Sequence, residues 1–197
     1  LGPGPRVMEM PSRKKIDSGP LRLGALPAGH CLGSAMLLAK DDQQSLLYTG
    51  DFKLDASVTA EAAELPHADI LIMECTFGRP RYRLPPREEV IGRLLEIVLV
   101  ALNDGLTPVV HAYPLGKSQE VTKLLTSRGI PVLQHPAVYE ISRIYEDCGI
   151  DLGDFGLYEG QPPSGHAIVT LPRSAREFRL PRLGKTVSIA VTGWAKD

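Results

Sequence analysis

Three polar side chains stand where apolar stretches end: His30 in PAGHCLGSAMLL, Asp51 in LLYTGDF and Glu74 in ADILIMECTFG. In layered α/β folds the ends of strands face the ligand crevice. Gly50 sets no side chain beside Asp51, so a carboxylate there can come close to a cation. A neutral imidazole nitrogen and a carboxylate from neighbouring strands suit Zn²⁺ or Mn²⁺. An aspartate can bridge two metals with its two oxygens. Paired metals sit roughly 3.5–4 Å apart and share a water whose pKa falls to about 7, ready to attack phosphorus or a carbonyl carbon. The small neighbours Gly29, Gly33, Ser34 and Ala35 leave space for a metal and a phosphate beside His30. Taken singly, a strand-end histidine also reads as a hydrogen-bonded structural residue, and a Gly-Asp pair as an Asx turn. Spacing alone does not choose between these.

A second candidate is Gly116, Lys117 and Ser118 in HAYPLGKSQE, at a helix start after a strand. A nucleotide P-loop needs a glycine five residues before Gly116, and that position is His111. A triphosphate cradle is therefore excluded. A milder phosphate grip remains, from a helix N-terminus with the Lys117 ammonium beside it. The stretch holding Arg79, Arg81, Arg83 and Arg87 with Tyr82 interleaved reads either as the lining of a single-strand channel or as a solvated loop. His111 lies in an apolar strand and reads as packed. His67 and His135 read as surface or turn residues, His166 is uninformative, and Cys31 and Cys75 read as small buried side chains.

The elements that must position these groups follow from periodicity. The first 20 residues, rich in Gly, Pro and charge, read as a poorly packed lead-in. Residues 21–29 alternate as a half-buried strand does, and residues 34–40 and 45–51 form a hairpin around the polar turn 41–44. Residues 68–76 carry an apolar run that ends on Glu74, as in a parallel strand buried on both faces. After the basic, Pro-rich stretch 79–87 comes a helix to Gly105. Strand 107–113, helix 116–129, strand 130–134, helix 137–149 and strand 166–171 then alternate, and the last strand is 186–194. That β-α-β-α-β spacing predicts a parallel sheet with covering helices.

The totals exclude several classes. The chain has 197 residues, 43% of them hydrophobic, and a net charge of −1. A core can form, and there is no global basic field, so a nucleic-acid partner needs a local groove. The three cysteines are far apart and form no C-x-x-C pair, which argues against a disulfide framework or a thiolate zinc site. No membrane span or signal peptide is predicted, and the reading is cytoplasmic. The first residue is Leu rather than Met, so the true N-terminus is expected upstream.

PAGHCLGSAMLL, LLYTGDF and ADILIMECTFG resemble, in order and spacing, the third and fourth metallo-β-lactamase motifs followed by the first motif of the β-CASP nucleases, which include RNA-processing nucleases and ligase-associated DNA exonucleases. AYPLGKSQEV is similar to the glycine–basic helix start of that family's inserted cap, and VTGWA to the strand returning to the catalytic domain. The resemblance implies a partial metallo-β-lactamase αββα sandwich at residues 1–78, a Rossmann-like cap at 79–190 and a return strand at 191–197. It implies that His30 ligates one zinc and Asp51 bridges two. It places Glu74 where an acidic residue orients a catalytic histidine, and Gly116, Lys117 and Ser118 where the cap grips the nucleic-acid backbone. Two Zn²⁺ per full-length chain are expected, or Mn²⁺. The implied activity is phosphodiester hydrolysis of RNA or single-stranded DNA, with a DNA ligase or RNA-processing protein as partner and a homodimer compatible. The family's H-x-H-x-D-H run and its later S-D-H are absent, so an internal fragment, inactive by itself, is expected. The alternative is a non-catalytic nucleic-acid-binding or scaffolding module. A hydrolase of small esters is disfavoured, because small substrates do not need a cap of this size.

Overall fold

A computed structural model describes residues 10, 12–175 and 183–193. The chain divides into two compact units between Thr76 and Phe77.

The first unit is one five-stranded sheet in chain order: β1 (Lys15–Ser18), β2 (Leu21–Pro27), β3 (Ala35–Lys40), β4 (Ser45–Tyr48) and β5 (Ile70–Ile72). Neighbours are antiparallel up to β4, and β4 and β5 are parallel. Alternation along β3 turns Met36 and Leu38 inward, where they pack with Ala28 and Leu47. The expected hairpin turn closes on Asp41, whose Oδ1 accepts from the N–H groups of Gln43 (2.8 Å) and Gln44 (2.7 Å). Two expectations change. Within the lead-in, residues 15–18 form β1 and fold back onto β2 around Gly19 (φ 60°). The apolar run at 68–76 forms only a three-residue strand, and it is an edge strand: Ile70, Leu71 and Ile72 are exposed. None of the three side chains joins a hydrophobic core cluster, so the run is not covered on both faces.

The second unit holds α1 (Arg87–Asn103), β6 (Thr107–His111), α2 (Lys117–Thr126), β7 (Val132–Gln134), α3 (Pro136–Asp147), β8 (Phe155–Leu157), β9 (Ala167–Thr170) and β10 (Thr186–Ala190). Its sheet is wholly parallel, in the order β10-β6-β9-β7-β8. Leu94, Leu95, Val98 and Ala101 recur at helical spacing and form the buried stripe of α1. The first three of these, with Val121 and Leu125 of α2 and Val138 of α3, pack on Val110, Val132, Ala167 and Val169 of the sheet. Central β9 is buried at all four positions, as a strand covered on both faces must be. Gly105 closes α1 in the left-handed region (φ 68°), and the next amide, Leu106, reaches the Ala101 carbonyl (2.8 Å). Strand β8 is a short element that periodicity did not signal. His135 is no surface residue: it is buried and caps α3, its Nδ1 accepting from the Ala137 amide.

Val191 extends the β10–β6 ladder, its N–H bonding the His111 carbonyl at 2.9 Å. Trp194 and Ala195 of the VTGWA motif lie outside the described residues. The alternating α/β order with a parallel sheet is the architecture the resemblance implies. Among the described residues no helix is long and apolar enough to cross a membrane.

Candidate functional site

Register brings the three strand-end residues to one end of the first sheet. Pro27 pairs with Ala35, Leu37 with Tyr48, and Tyr48 with Ile72. The chain therefore leaves β2, β4 and β5 at the same edge, just before His30, Asp51 and Glu74.

His30 sits in a tight loop wound around the Ser34 hydroxyl, which accepts from the N–H groups of His30 (3.1 Å) and Cys31 (3.2 Å). Ala28 N–H bonds the Ser34 carbonyl at 2.9 Å and closes the loop. Gly29 is required there for two reasons: its φ is +74°, and a Cβ would stand 2.2 Å from the Lys53 carbonyl oxygen. That glycine makes room for backbone, not for a ligand, which changes the reading of the small neighbours. The imidazole itself is exposed.

Asp51 follows Gly50 (φ 54°) and is also exposed. Lys53 N–H bonds the Ala28 carbonyl at 2.9 Å, stitching the Asp51 segment to the His30 loop. Electrostatics report the same proximity. Burial, then the negative charges of Asp51 and Glu61, push the Cys31 thiol up, with Ser34 opposing. Cys31 is half-buried and Cys75 exposed, so neither is the fully buried side chain expected.

The Glu74 N–H leans on Thr49 Oγ1 (3.4 Å), and its Oε2 accepts from the Thr76 amide at 2.9 Å. The Thr76 hydroxyl and amide, then the Phe52 amide and the charge of His30, hold the Glu74 carboxyl below its usual range. An ionised carboxylate only accepts hydrogen bonds, which is the state needed to take an imidazole N–H. Thr49 and Thr76 belong to this sheet end and were not singled out from the sequence; Ser34 was read only as a small neighbour of His30, not as the hydroxyl that holds its loop.

His30 and Asp51 are donors of the right type for zinc. Among the described residues, however, no three of the His, Cys, Asp and Glu side chains come together to hold a metal ion. A catalytic zinc takes three protein ligands. The donors present therefore do not make up the implied metal centre.

In the second unit, the turn before α2 spends most of its polar groups internally. Gly116 (φ 78°) donates its N–H to Gln119 Oε1 at 2.8 Å, and Gln119 Nε2 donates to the Pro114 carbonyl and to Ser142 Oγ. Ser118 is fully buried, its hydroxyl donating to the Tyr113 carbonyl at 2.7 Å. Lys117 is half-exposed, with Nζ 3.9 Å from Glu120 Oε2. Of the three, Lys117 has the most exposed side chain. In the basic stretch, Tyr82 is covered by Arg81 (4.8 Å to the ring centre) and by the edge of Phe77 (5.4 Å between ring centres).

No family model matches the chain. It is 38% identical over 172 residues to a probable DNA ligase of Opitutus terrae, covering 87% of this chain and 17% of that protein. It is 30% identical over 129 residues to RNase aCSPSF2 of Saccharolobus solfataricus, covering 64% of this chain and 25% of that one. A crystal structure of a protein of unknown function from Enterococcus faecalis superposes with a TM-score of 0.57 at 14% identity, over 86% of this chain and 45% of that one, a likeness of fold.

Proposed function

Since the chain belongs to the metallo-β-lactamase/β-CASP nuclease family, we propose that the whole protein is a zinc-dependent phosphodiesterase that cuts RNA or single-stranded DNA. The observation that carries this is the convergence of His30, Asp51 and Glu74 at one end of the first sheet, in a chain similar to an RNase. His30 and Asp51 supply metal ligands. They are fewer than a catalytic site needs, so turnover requires ligands from other sequence. Glu74, held ionised, orients an imidazole near the reacting phosphate. Lys117 meets the backbone phosphates, while Gly116 and Ser118 shape the turn that carries it. The likeness to part of a probable DNA ligase supports DNA ends as substrate and a ligase as neighbour.

The test is strand cleavage by the whole protein on end-labelled RNA and DNA, with metal removed by chelation and then restored. Activity should vanish and return with zinc or manganese, and Asp51→Ala should lose several orders of magnitude. A variant that cuts at the parental rate removes Asp51 from the site. A protein that binds both nucleic acids but cuts neither under any metal is the scaffolding module instead.

A further inference from the structure

The second unit carries a cleft of about 400 Å³ bordered by the first residues of the AYPLGKSQEV and VTGWA stretches, away from His30, Asp51 and Glu74 in sequence and without Gly116, Lys117 or Ser118 in its lining. It opens at the carboxyl ends of β10, β6 and β9, where parallel sheets hold their ligands. Its volume lies within the roughly 300–1,000 Å³ of small-molecule pockets. Its polar lining is His111, Tyr113, Arg173, Ser174, Ser188 and Thr192, with no carboxylate among the described residues. In a chain of net charge −1, that is a local positive site.

The groups are arranged in order. His111 is buried, with Nδ1 2.9 Å from the Leu171 carbonyl and Nε2 2.9 Å from Ser188 Oγ. A carbonyl only accepts, so Nδ1 carries the proton. With the ring neutral, Nε2 accepts a hydrogen bond from the Ser188 hydroxyl. Ser188 lines the cleft, and with its hydrogen on His111 its oxygen can accept from a ligand N–H or O–H. Arg173 lines the cleft with a guanidinium, the group best suited to a phosphate. Tyr113, 53% exposed, lines the cleft and offers a ring on which a base can stack.

We propose that this cleft holds one nucleotide unit: its phosphate on Arg173 and Ser174, its base against Tyr113, and a base amino group donated to Ser188. The proposal rests on the nucleic-acid reading above and names where the second unit takes hold of the strand.

The experiment is a calorimetric titration of this chain, without added metal, using 5′-dAMP, deoxyadenosine and inorganic phosphate. The expected result is saturable dAMP binding, roughly tenfold or more tighter than either part alone. Arg173→Gln should weaken it roughly tenfold or more, as loss of a charged hydrogen bond does. Tyr113→Ala should weaken it roughly fivefold or more. Ser188→Ala should weaken it too, and Ser188→Thr, which keeps the hydroxyl, should restore it. Circular dichroism of each variant separates lost binding from lost fold, and Arg173→Lys serves if Arg173→Gln does not fold. Absence of saturation at millimolar dAMP, phosphate binding as tightly as dAMP, or folded variants with unchanged affinity would each overturn the proposal. Because no metal or cleavage enters the measurement, dAMP binding by this chain beside a whole protein that cuts neither nucleic acid under any metal would sink the nuclease reading and leave this one standing.

Discussion

Arg87 Nη2 and Glu120 Oε1 meet at 2.5 Å, joining the first turn of α1 to the first turn of α2. The pair is largely shielded, with side-chain exposures of 23% and 11%, so water cannot replace either partner cheaply. It also takes Arg87 out of the basic stretch that the sequence offered as a single-strand channel.

Glu120→Gln should therefore lower the stability of the second unit by about 2 kcal/mol, the scale of a hydrogen bond to a charged group. Thermal unfolding followed by circular dichroism measures it. The same variant removes a negative charge beside Lys117, so weak phosphate binding there should strengthen rather than fall.

Metal analysis of this chain after dialysis against zinc should give well under two ions per chain, because His30 and Asp51 alone hold a cation weakly. The chain alone should not cleave RNA or DNA. A stoichiometry near two would mean that the donors converge in a way the described residues do not display.

The first unit should weaken in acid. Asp69 Oδ2 accepts from Ser45 Oγ (2.7 Å) and from the Ser45 amide (2.8 Å), and these bonds hold its carboxyl below the usual range. A carboxyl with a depressed folded value contributes stability above its unfolded value and loses it as pH falls through the folded one. The loss should begin below about pH 4, where an unfolded aspartate takes up its proton. Amide signals of β4 and β5 during acid titration report it, and Asp69→Asn should flatten that limb.

Gly29→Ala should be among the most damaging single changes in the first unit. A left-handed alanine costs roughly 1–2 kcal/mol, and its Cβ would also press within 2.2 Å of the Lys53 carbonyl. Ala at Gly33, which has the same φ of +74° but open space around it, should incur only the conformational part. A difference in melting temperature between the two variants isolates the contact; equal losses would dismiss it.

Much of the architecture was written in periodicity and punctuation. The stripe of α1, the polar turn at Asp41 and the strand–helix alternation after Gly105 depend on neighbours a few residues apart, and local rules read them correctly. Short elements escaped: β8 is three residues long and β1 is hidden in a Gly- and Pro-rich lead-in. Residues 70–72 were misjudged because an apolar run looks alike whether or not other elements cover its faces.

Residue types and motif order alone put His30, Asp51, Glu74 and Lys117 forward, since chemistry needs those side chains wherever they fold. Only the tertiary structure decided what surrounds them. Strand register set the first three at one sheet end, the Lys53 backbone claimed the space at Gly29, and buried hydrogen bonds consumed Ser118. The physical reason is distance along the chain: His111 finds Ser188 across 77 residues, and no local pattern encodes a partner that far away.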